Sequence, residues 1–203
     1  MKLVFTLFVA IALVSCQPNN NTLPNNTANN NTHTKVHNTD VKTLAGTIVQ
    51  LLKDKQYSNL VQYMQPKGQL LFSPYAYIDT ATAQKFADST LLRAANDTVA
   101  ILNWGVYDGS GEAIQLSFNK YMAAFVYDKD YATVSAIQVD SLQAKGNTAS
   151  NIKQVYPASS FVEYYVLGNK ELDGKNWAAL TLVFNKINNH YFLVAIVHNQ
   201  WTI

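Results

Sequence analysis

The sequence predicts one α+β domain over residues 40–203, preceded by segments that do not belong to the fold. Apolar residues make up 48% of the 203-residue chain and aromatic residues 12%, which is enough to fill a core. Helix-like patterns come first along this region. Three strand-like runs close it, SFVEYYVLG, WAALTLVFNKI and HYFLVAIVHNQW. Helices followed by consecutive strands favour a layered α+β fold.

The first elements are predicted helices. Asp40 is a suitable N-cap for a helix whose apolar positions repeat at helical spacing: Val41, Leu44, Ala45, Ile48, Leu51 and Leu52. A short second helix, YSNLVQYM, ends before Pro66. The stretch GQLLFSPYAYI is predicted to be extended, with Pro74 requiring either an edge strand or a bend. A third helix is predicted over DTATAQKFADSTLLRAA, capped by Asp79 or Thr80.

The middle of the domain contains a glycine-rich turn between two apolar arms, in VAILNWGVYDGSGEAIQL. Gly109 and Gly111 supply the positive φ that a tight turn needs, so this segment predicts a β-hairpin. Ser117 is a candidate cap for the helix FNKYMAAFV, and a polar loop follows over residues 140–157.

The last two strands are predicted to form a hairpin around Asn188-Asn189. Counting outward from that turn places Val183 opposite Val194, Thr181 opposite Ile196, and Ala179 opposite His198. Both faces of this hairpin are mostly apolar, which predicts a covering layer on each side. Small partners opposite His198 would leave space, and space with convergent polar groups is how a pocket begins.

The chain starts with MKLVFTLFVAIALVSC, an apolar run too short to cross a bilayer, and Cys16 is its single cysteine. Leu13-Val14-Ser15-Cys16 resembles the lipobox of bacterial lipoproteins. The resemblance implies removal of residues 1–15 as a signal peptide and lipidation of Cys16, with the membrane as partner. Residues 16–39 are rich in Asn and Thr and predict a flexible linker. Asp40 is the first acidic residue, which by the same resemblance favours the outer membrane, facing the periplasm.

Four stretches, FSPYAYI, WGVYDGSGEAI, WAALTLVF and IVHNQWTI, resemble a family of uncharacterised bacterial secreted and lipoprotein domains. Its motifs correspond here to FSPY, WGxxDGSG and HxQWTI. The order of elements over residues 40–203 also resembles the NTF2-like/SnoaL (cystatin-like) cone, which implies N-terminal helices packed on a curved antiparallel sheet. The first resemblance implies no activity.

Tyrosine and tryptophan suit a partly hydrated pocket because each combines an apolar ring with a hydrogen-bonding O–H or N–H group. We therefore expect an aromatic-lined pocket for a small amphipathic ligand or a glycan fragment. The competing interpretation is that the tyrosine and tryptophan rings simply pack in the core. The candidate binding residues are Tyr75, Trp104, Asp108, Thr181, His198, Gln200 and Trp201.

Several function classes are not expected. The net charge is +2 without a basic cluster, which argues against a nucleic-acid partner. One cysteine excludes an intramolecular disulfide and a cysteine-rich zinc site. No nucleotide or metalloprotease motif is present, and Asp108, Ser110 and Glu112 match only the opening of a calcium loop, so we expect neither cofactor nor metal.

Three functions remain as hypotheses. The first is a non-catalytic binding or scaffold module, in which His198 bonds to backbone. The second is a SnoaL-like isomerase or hydrolase, in which a carboxylate reaches the His198 ring. The candidate carboxylates are Asp108, Glu112, Asp128, Asp130 and Glu163. The third is a protein-interaction surface, which predicts a broad exposed apolar patch.

Overall fold

The computed structural model describes residues 40–143 and 149–202. The predicted signal peptide, Cys16, the linker up to residue 39 and part of the predicted 140–157 loop lie outside the described residues. The described chain mixes helices with a six-stranded sheet, so the α+β prediction is confirmed. The helices are α1 Val41–Lys53, α2 Tyr57–Leu60, α3 Asp88–Asn96, α4 Phe118–Phe125 and α5 Ile152–Val155, with short 3-10 turns at Val61–Tyr63, Tyr131–Thr133 and Lys170–Leu172.

The strands form one large sheet and one separate hairpin. They are β1 Leu70–Ser73, β2 Gln84–Phe86, β3 Leu102–Val106, β4 Ala113–Leu116, β5 Ile137–Val139, β6 Ser160–Val166, β7 Ala178–Ile187 and β8 His190–Gln200. The large sheet has the order β2-β1-β8-β7-β6-β5, and β3 and β4 pair with each other as predicted. Neighbours in the large sheet are antiparallel except β1 and β8, which run parallel. The expectation of a wholly antiparallel sheet is therefore wrong for one pair.

Helix α1 follows its predicted pattern. The Asp40 carboxylate accepts hydrogen bonds from the backbone N–H groups of Lys42 and Thr43, which satisfies donors that the first turn leaves open. One face of the helix is buried, at Val41, Leu44, Ala45, Ile48, Val49 and Leu52. The helix packs on β6, and Gly46 lies near the Tyr164 hydroxyl of that strand.

The helix predicted over residues 79–95 begins later than expected. Asp79 caps a turn instead, accepting hydrogen bonds from the Ala81 N–H and the Thr82 hydroxyl. The chain then forms β2, which pairs with β1, and helix α3 starts only at Asp88. The unpaired edge of β1 competes for these residues, and its ladder hydrogen bonds outweigh a weak helical preference.

The final hairpin forms at the predicted turn, where Asn188 and Asn189 both have positive φ. Its register differs from the predicted one because of a β-bulge. Phe184 pairs with Leu193, but Val183 pairs with Ala195, so Val194 is an extra residue on β8. The predicted pairs of Val183, Thr181 and Ala179 are each wrong by one residue.

The bulge decides which way His198 faces. His198 pairs with Leu180, so it lies on the same face as Leu182 and Ile196. This face carries the larger core, which the helices cover, and the opposite face carries a smaller core around Ile78, Ile152 and Val197. Both faces of the hairpin are covered, as predicted. His198, however, lies on the face of Leu180 and Leu182 and not on the predicted face of Ala179 and Thr181. Within residues 40–143 and 149–202, none of the helices has the length and apolar character that a bilayer crossing requires.

Candidate functional site

A cavity of about 260 Å³ lies between the segment that follows β1 and the β3–β4 hairpin. We call it the Tyr75 cavity. Its aromatic walls are Tyr75, Tyr77 and Trp104, and its other walls are Ser73, Pro74, Asp79, Thr82, Ala83, Gly105, Val106 and Asp108. Three residues predicted as a binding set, Tyr75, Trp104 and Asp108, therefore meet at one site although they are far apart in sequence.

The segment from residue 74 to 79 is held rigidly by buried polar side chains. The Ser73 hydroxyl donates to the Tyr75 carbonyl at 2.8 Å. Asn151 holds both backbone groups of Ile78: its Oδ1 accepts from the N–H at 2.7 Å, and its Nδ2 donates to the carbonyl at 3.0 Å. Because buried polar groups without partners are costly, these bonds fix the wall of the cavity in one conformation.

His198 provides a third support for that wall. Its ring is 0% exposed. Nδ1 lies 3.1 Å from the Pro74 carbonyl, and Nε2 lies 3.2 Å from Asp128 Oδ1. The Pro74 carbonyl can only accept, so Nδ1 donates to it, and Nε2 shares its hydrogen bond with the Asp128 carboxyl group. His198 therefore bonds both to backbone and to a carboxylate. The backbone bond was expected for a binding module and the carboxylate for an enzyme, so this contact alone does not separate the two hypotheses.

Asp128 is the acceptor at the centre of this network. Tyr131 donates its hydroxyl to the same Oδ1 at 2.7 Å. Burial alone would raise the pKa of Asp128, but the hydrogen bond and the charge of His198, with the Tyr131 hydroxyl, outweigh burial and lower that pKa. Burial and the neighbouring Asp128 charge raise the pKa of Tyr131. The result is a half-buried carboxylate that stays ionised and lies within hydrogen-bond distance of both His198 and Tyr131.

An aromatic stack lies behind the Tyr75 cavity. The rings of Trp104 and Tyr121 are stacked with centroids 3.7 Å apart, and Tyr121 also stacks on Phe125. The Trp104 Nε1 group donates to the Leu116 carbonyl at 2.9 Å. The Tyr121 hydroxyl is fully buried. Among the described residues, it is the buried side-chain oxygen or nitrogen that has no hydrogen-bond partner. Burial raises the pKa of Tyr121 far above the ordinary value, and the Tyr75 phenol adds to that rise.

Asp108 joins the hairpin turn to the C-terminal segment. Its Oδ2 accepts from the Thr202 hydroxyl at 2.6 Å, and its Oδ1 accepts from the Gly109 N–H at 3.1 Å. Burial raises the pKa of Tyr75; a hydrogen bond from the Asp108 backbone opposes that rise, and the Asp108 charge adds to it. Asp108 and Tyr75 therefore form one polar side of the cavity.

The remaining predicted residues lie elsewhere. Thr181 pairs with Val197 and faces the side of the sheet opposite His198. Gln200 pairs with Ala178 at the end of β8, and Trp201 is exposed beneath the Lys175 ammonium, which lies 6.0 Å from the ring centroid. His198 touches the cavity wall through Pro74 rather than lining the cavity itself.

The five candidate carboxylates separate clearly. Asp128 contacts His198, whereas Asp130 pairs with Lys53 at 3.0 Å. Glu163 pairs with Thr181 on the opposite face of the sheet, and Glu112 is exposed beside the hairpin turn. In the described chain, no group of three or more His, Cys, Asp or Glu side chains is arranged to hold a metal ion.

Sequence reasoning missed Asp79 and Thr82 as cavity residues and Asn151 as a support. Tyr77 lies two residues after the FSPY motif, within the stretch FSPYAYI, but was not part of the candidate binding set. A larger depression of about 720 Å³, whose lining mixes polar residues such as Gln62 and Gln65 with apolar residues such as Met64, contains none of the predicted site residues.

Comparisons with known proteins identify no family. No family model matches the chain, and no curated protein matches it. One solved structure is distantly similar: the crystal structure of a DUF4783 family protein from Bacteroides ovatus ATCC 8483. The two chains are 16% identical, and the match covers 77% of this chain and 94% of the other, with a TM-score of 0.26. At this TM-score the similarity assigns neither a fold family nor a function.

Proposed function

We propose that this protein is a bacterial envelope lipoprotein whose domain at residues 40–203 binds a small ligand without catalysing a reaction. The Tyr75 cavity is the ligand site. Its combination of three aromatic rings with a few convergent polar groups is typical of small-molecule sites. This lining is the observation that carries the proposal.

The size of the cavity limits the ligand. Drug-sized ligands usually occupy pockets of about 300–1,000 Å³, so 260 Å³ suits a fragment such as one sugar ring or a short amphipathic molecule. Tyr77, which is 57% exposed at the rim, gives such a ligand an aromatic surface that needs no rearrangement of the core.

The alternative, a SnoaL-like isomerase or hydrolase using His198, has less support. A general base must reach the proton that it removes. The His198 ring is fully buried, and both ring nitrogens already have partners within hydrogen-bond distance. The pair with Asp128 is therefore better suited to holding Pro74 in place than to chemistry.

The finer fold assignment also belongs to this proposal. We propose that the domain is a cone of the NTF2-like/SnoaL type, and that it belongs with the uncharacterised secreted and lipoprotein domains that its motifs resemble. The N-terminal helix on the sheet and the long closing hairpin support this proposal. A crystal structure that superposes poorly on every NTF2-like domain would contradict it.

The anchor is a separate part of the proposal. Residues 1–15 would be removed and Cys16 lipidated, which would hold the domain on the outer membrane facing the periplasm. Several acyl chains bind a bilayer firmly, since each buried methylene contributes about 0.8 kcal/mol. The native protein should stay with membranes in high salt and leave them in detergent, and Cys16→Ser should be released into the soluble fraction. Release of the native protein by buffer alone would contradict the anchor.

The ligand site is tested by titrating ¹⁵N-labelled domain with three probes: benzyl alcohol, methyl β-glucoside and choline. We expect at least one probe to give saturable amide shifts at residues 75–79 and 104–108. Val106→Trp should block the cavity and weaken that binding about tenfold or more, because Val106 is 55% exposed and lines it.

The matched control is Val99→Trp, at a position that is 82% exposed and does not line the cavity. This control should bind like the unmodified domain. If none of the three probes shifts these residues, or if both tryptophan variants bind alike, the Tyr75 cavity is not the ligand site.

A further inference from the structure

We propose that the Tyr75 cavity selects a small organic cation, an ammonium compound, over neutral or anionic molecules of the same shape. The inference rests on the proposed function and names the ligand class for that same site. Three features of the lining carry it: the sign of its charges, the chemistry of its rings and its size.

The charged groups of the lining are all acidic. Asp79 and Asp108 are both lining residues, although the Asp108 carboxylate also accepts hydrogen bonds from Thr202 and Gly109, and the described residues that line the cavity include no Lys, Arg or His. A cleft lined by charges of one sign raises the local concentration of ligands of the opposite sign. Lys85, which follows the lining residue Ala83 by two positions, donates its Nζ to the Thr80 carbonyl at 2.8 Å and does not line the cavity.

Asp79 is held in its charged form by its neighbours. The Thr82 hydroxyl donates to Oδ2 at 2.8 Å, and the Ala81 N–H donates to Oδ1 at 3.0 Å. The Thr82 hydrogen bond, followed by that of Ala81, lowers the pKa of Asp79. The carboxylate therefore stays ionised well below neutral pH while its side chain remains exposed to an incoming cation.

The rings complement a positive charge. Tyrosine and tryptophan attract cations to their faces through the ring quadrupole, and aromatic cages are the usual binding sites for quaternary ammonium groups. Tyr75 and Tyr77, on one wall, present the rings that a cation could contact, whereas Trp104, on the other wall, is 1% exposed and already stacked on Tyr121. Among the described residues, the lining includes no Asn or Gln side chain, although such amides commonly help to orient neutral polar ligands.

The volume sets the size of the cation. A water molecule occupies about 30 Å³ in the liquid, so 260 Å³ holds about nine groups of that size. Choline has seven heavy atoms and fits this limit, whereas a folded partner could insert only a side chain.

Choline and 3,3-dimethyl-1-butanol form a matched pair of probes because they differ only in the atom that carries the charge. We expect choline to bind about tenfold more tightly, as judged by amide shifts at residues 75–79 and 104–108, because only choline gains from the rings and carboxylates. Added salt should weaken choline binding and leave the neutral probe unchanged.

Asp79→Asn tests the contribution of charge. It should weaken choline binding about fivefold without changing the affinity for the neutral probe. The matched control is Asp97→Asn, which removes the same charge from a half-buried aspartate that accepts hydrogen bonds from two backbone N–H groups and does not line the cavity. The control should bind both probes like the unmodified domain.

The outcomes separate this inference from the proposed function. If choline and the neutral probe bind equally, or if methyl β-glucoside binds more tightly than choline, the cation inference is wrong and the cavity remains a ligand site. If neither member of the pair, nor benzyl alcohol, nor methyl β-glucoside shifts these residues, both proposals fail.

Discussion

Two polar regions meet at the segment Pro74-Tyr75, and they differ in access to solvent. Behind this segment, His198 is completely buried and bonded at both ring nitrogens. In front of it, Tyr77 and Asp79 are exposed at the rim of the Tyr75 cavity. The first region resembles a functional site by residue type, and the second is the one that a ligand could reach. Access and unfilled space distinguish a binding site from a structural network more reliably than residue type does.

The two regions are also connected mechanically. His198 donates to the Pro74 carbonyl, and the next residue presents its ring to the cavity. The buried network therefore determines where the wall of the cavity stands. His198 acts as a positioning residue for the proposed site, through the backbone of Pro74.

The largest effect should come from removing the buried ring. His198→Ala leaves the Asp128 charge unpaired and the Pro74 carbonyl without its donor. Breaking a buried pair in this way typically costs about 3–5 kcal/mol, and we expect a loss of that size in the free energy of unfolding measured in urea.

The matched control is His190→Ala, at the half-buried first residue of the same strand. It should cost about 1 kcal/mol or less. If the two variants lose stability equally, His198 is not the structural element that distinguishes the buried region from the cavity.

Much of the fold follows from local sequence signals. Asp40 caps α1, the glycines around Ser110 turn the β3–β4 hairpin, and Asn188-Asn189 turn the last one. Each of these signals acts within a few residues, so the sequence contains it completely. The strand at Gln84–Phe86 was missed because it exists only where β1 offers an edge, which is a tertiary effect.

The site was predictable in part. The FSPY and WGxxDGSG motifs gave Tyr75, Trp104 and Asp108, which the fold brings together. The orientation of His198 was not predictable, because one extra residue at Val194 turns every later side chain of β8 to the other face. No pattern of apolar residues reveals such a bulge when both faces of the strand are buried. The choice of Asp128 among five carboxylates also required the packed structure.

A smaller effect should appear in acid. The folded pKa of Asp128 lies below its ordinary value of 3.8, so its contribution to stability is complete above about pH 4 and is lost as the pH falls through the lowered folded pKa. Asp128→Asn should therefore lose less stability than the unmodified domain between about pH 4 and pH 2.5, measured as urea midpoints.

Asp130→Asn is the comparison on the exposed side. The pKa of Asp130 is also lowered, chiefly by the Tyr127 hydroxyl and then by Lys53, but its carboxylate is exposed to solvent and its interactions are screened. The loss of stability of Asp130→Asn as the pH falls below about 4 should therefore follow that of the unmodified domain more closely. If Asp128→Asn and the unmodified domain lose the same stability as the pH falls below about 4, the pair of Asp128 with His198 is not charged in the folded protein.

The smallest effect should have the opposite sign. The Tyr121 hydroxyl is buried without a partner, whereas the Tyr131 hydroxyl, also buried, donates to Asp128 at 2.7 Å. Tyr121→Phe removes a group that was desolvated without compensation, so we expect a gain of about 1 kcal/mol in the free energy of unfolding. Tyr131→Phe removes a charge-assisted bond and should lose about 1–3 kcal/mol. The two substitutions delete the same atom type, and the urea midpoints should move in opposite directions. Equal losses would mean that the Tyr121 hydroxyl has a hydrogen-bond partner in solution. The aromatic stack behind the cavity would then resemble the buried region around His198, in which the polar groups are hydrogen-bonded.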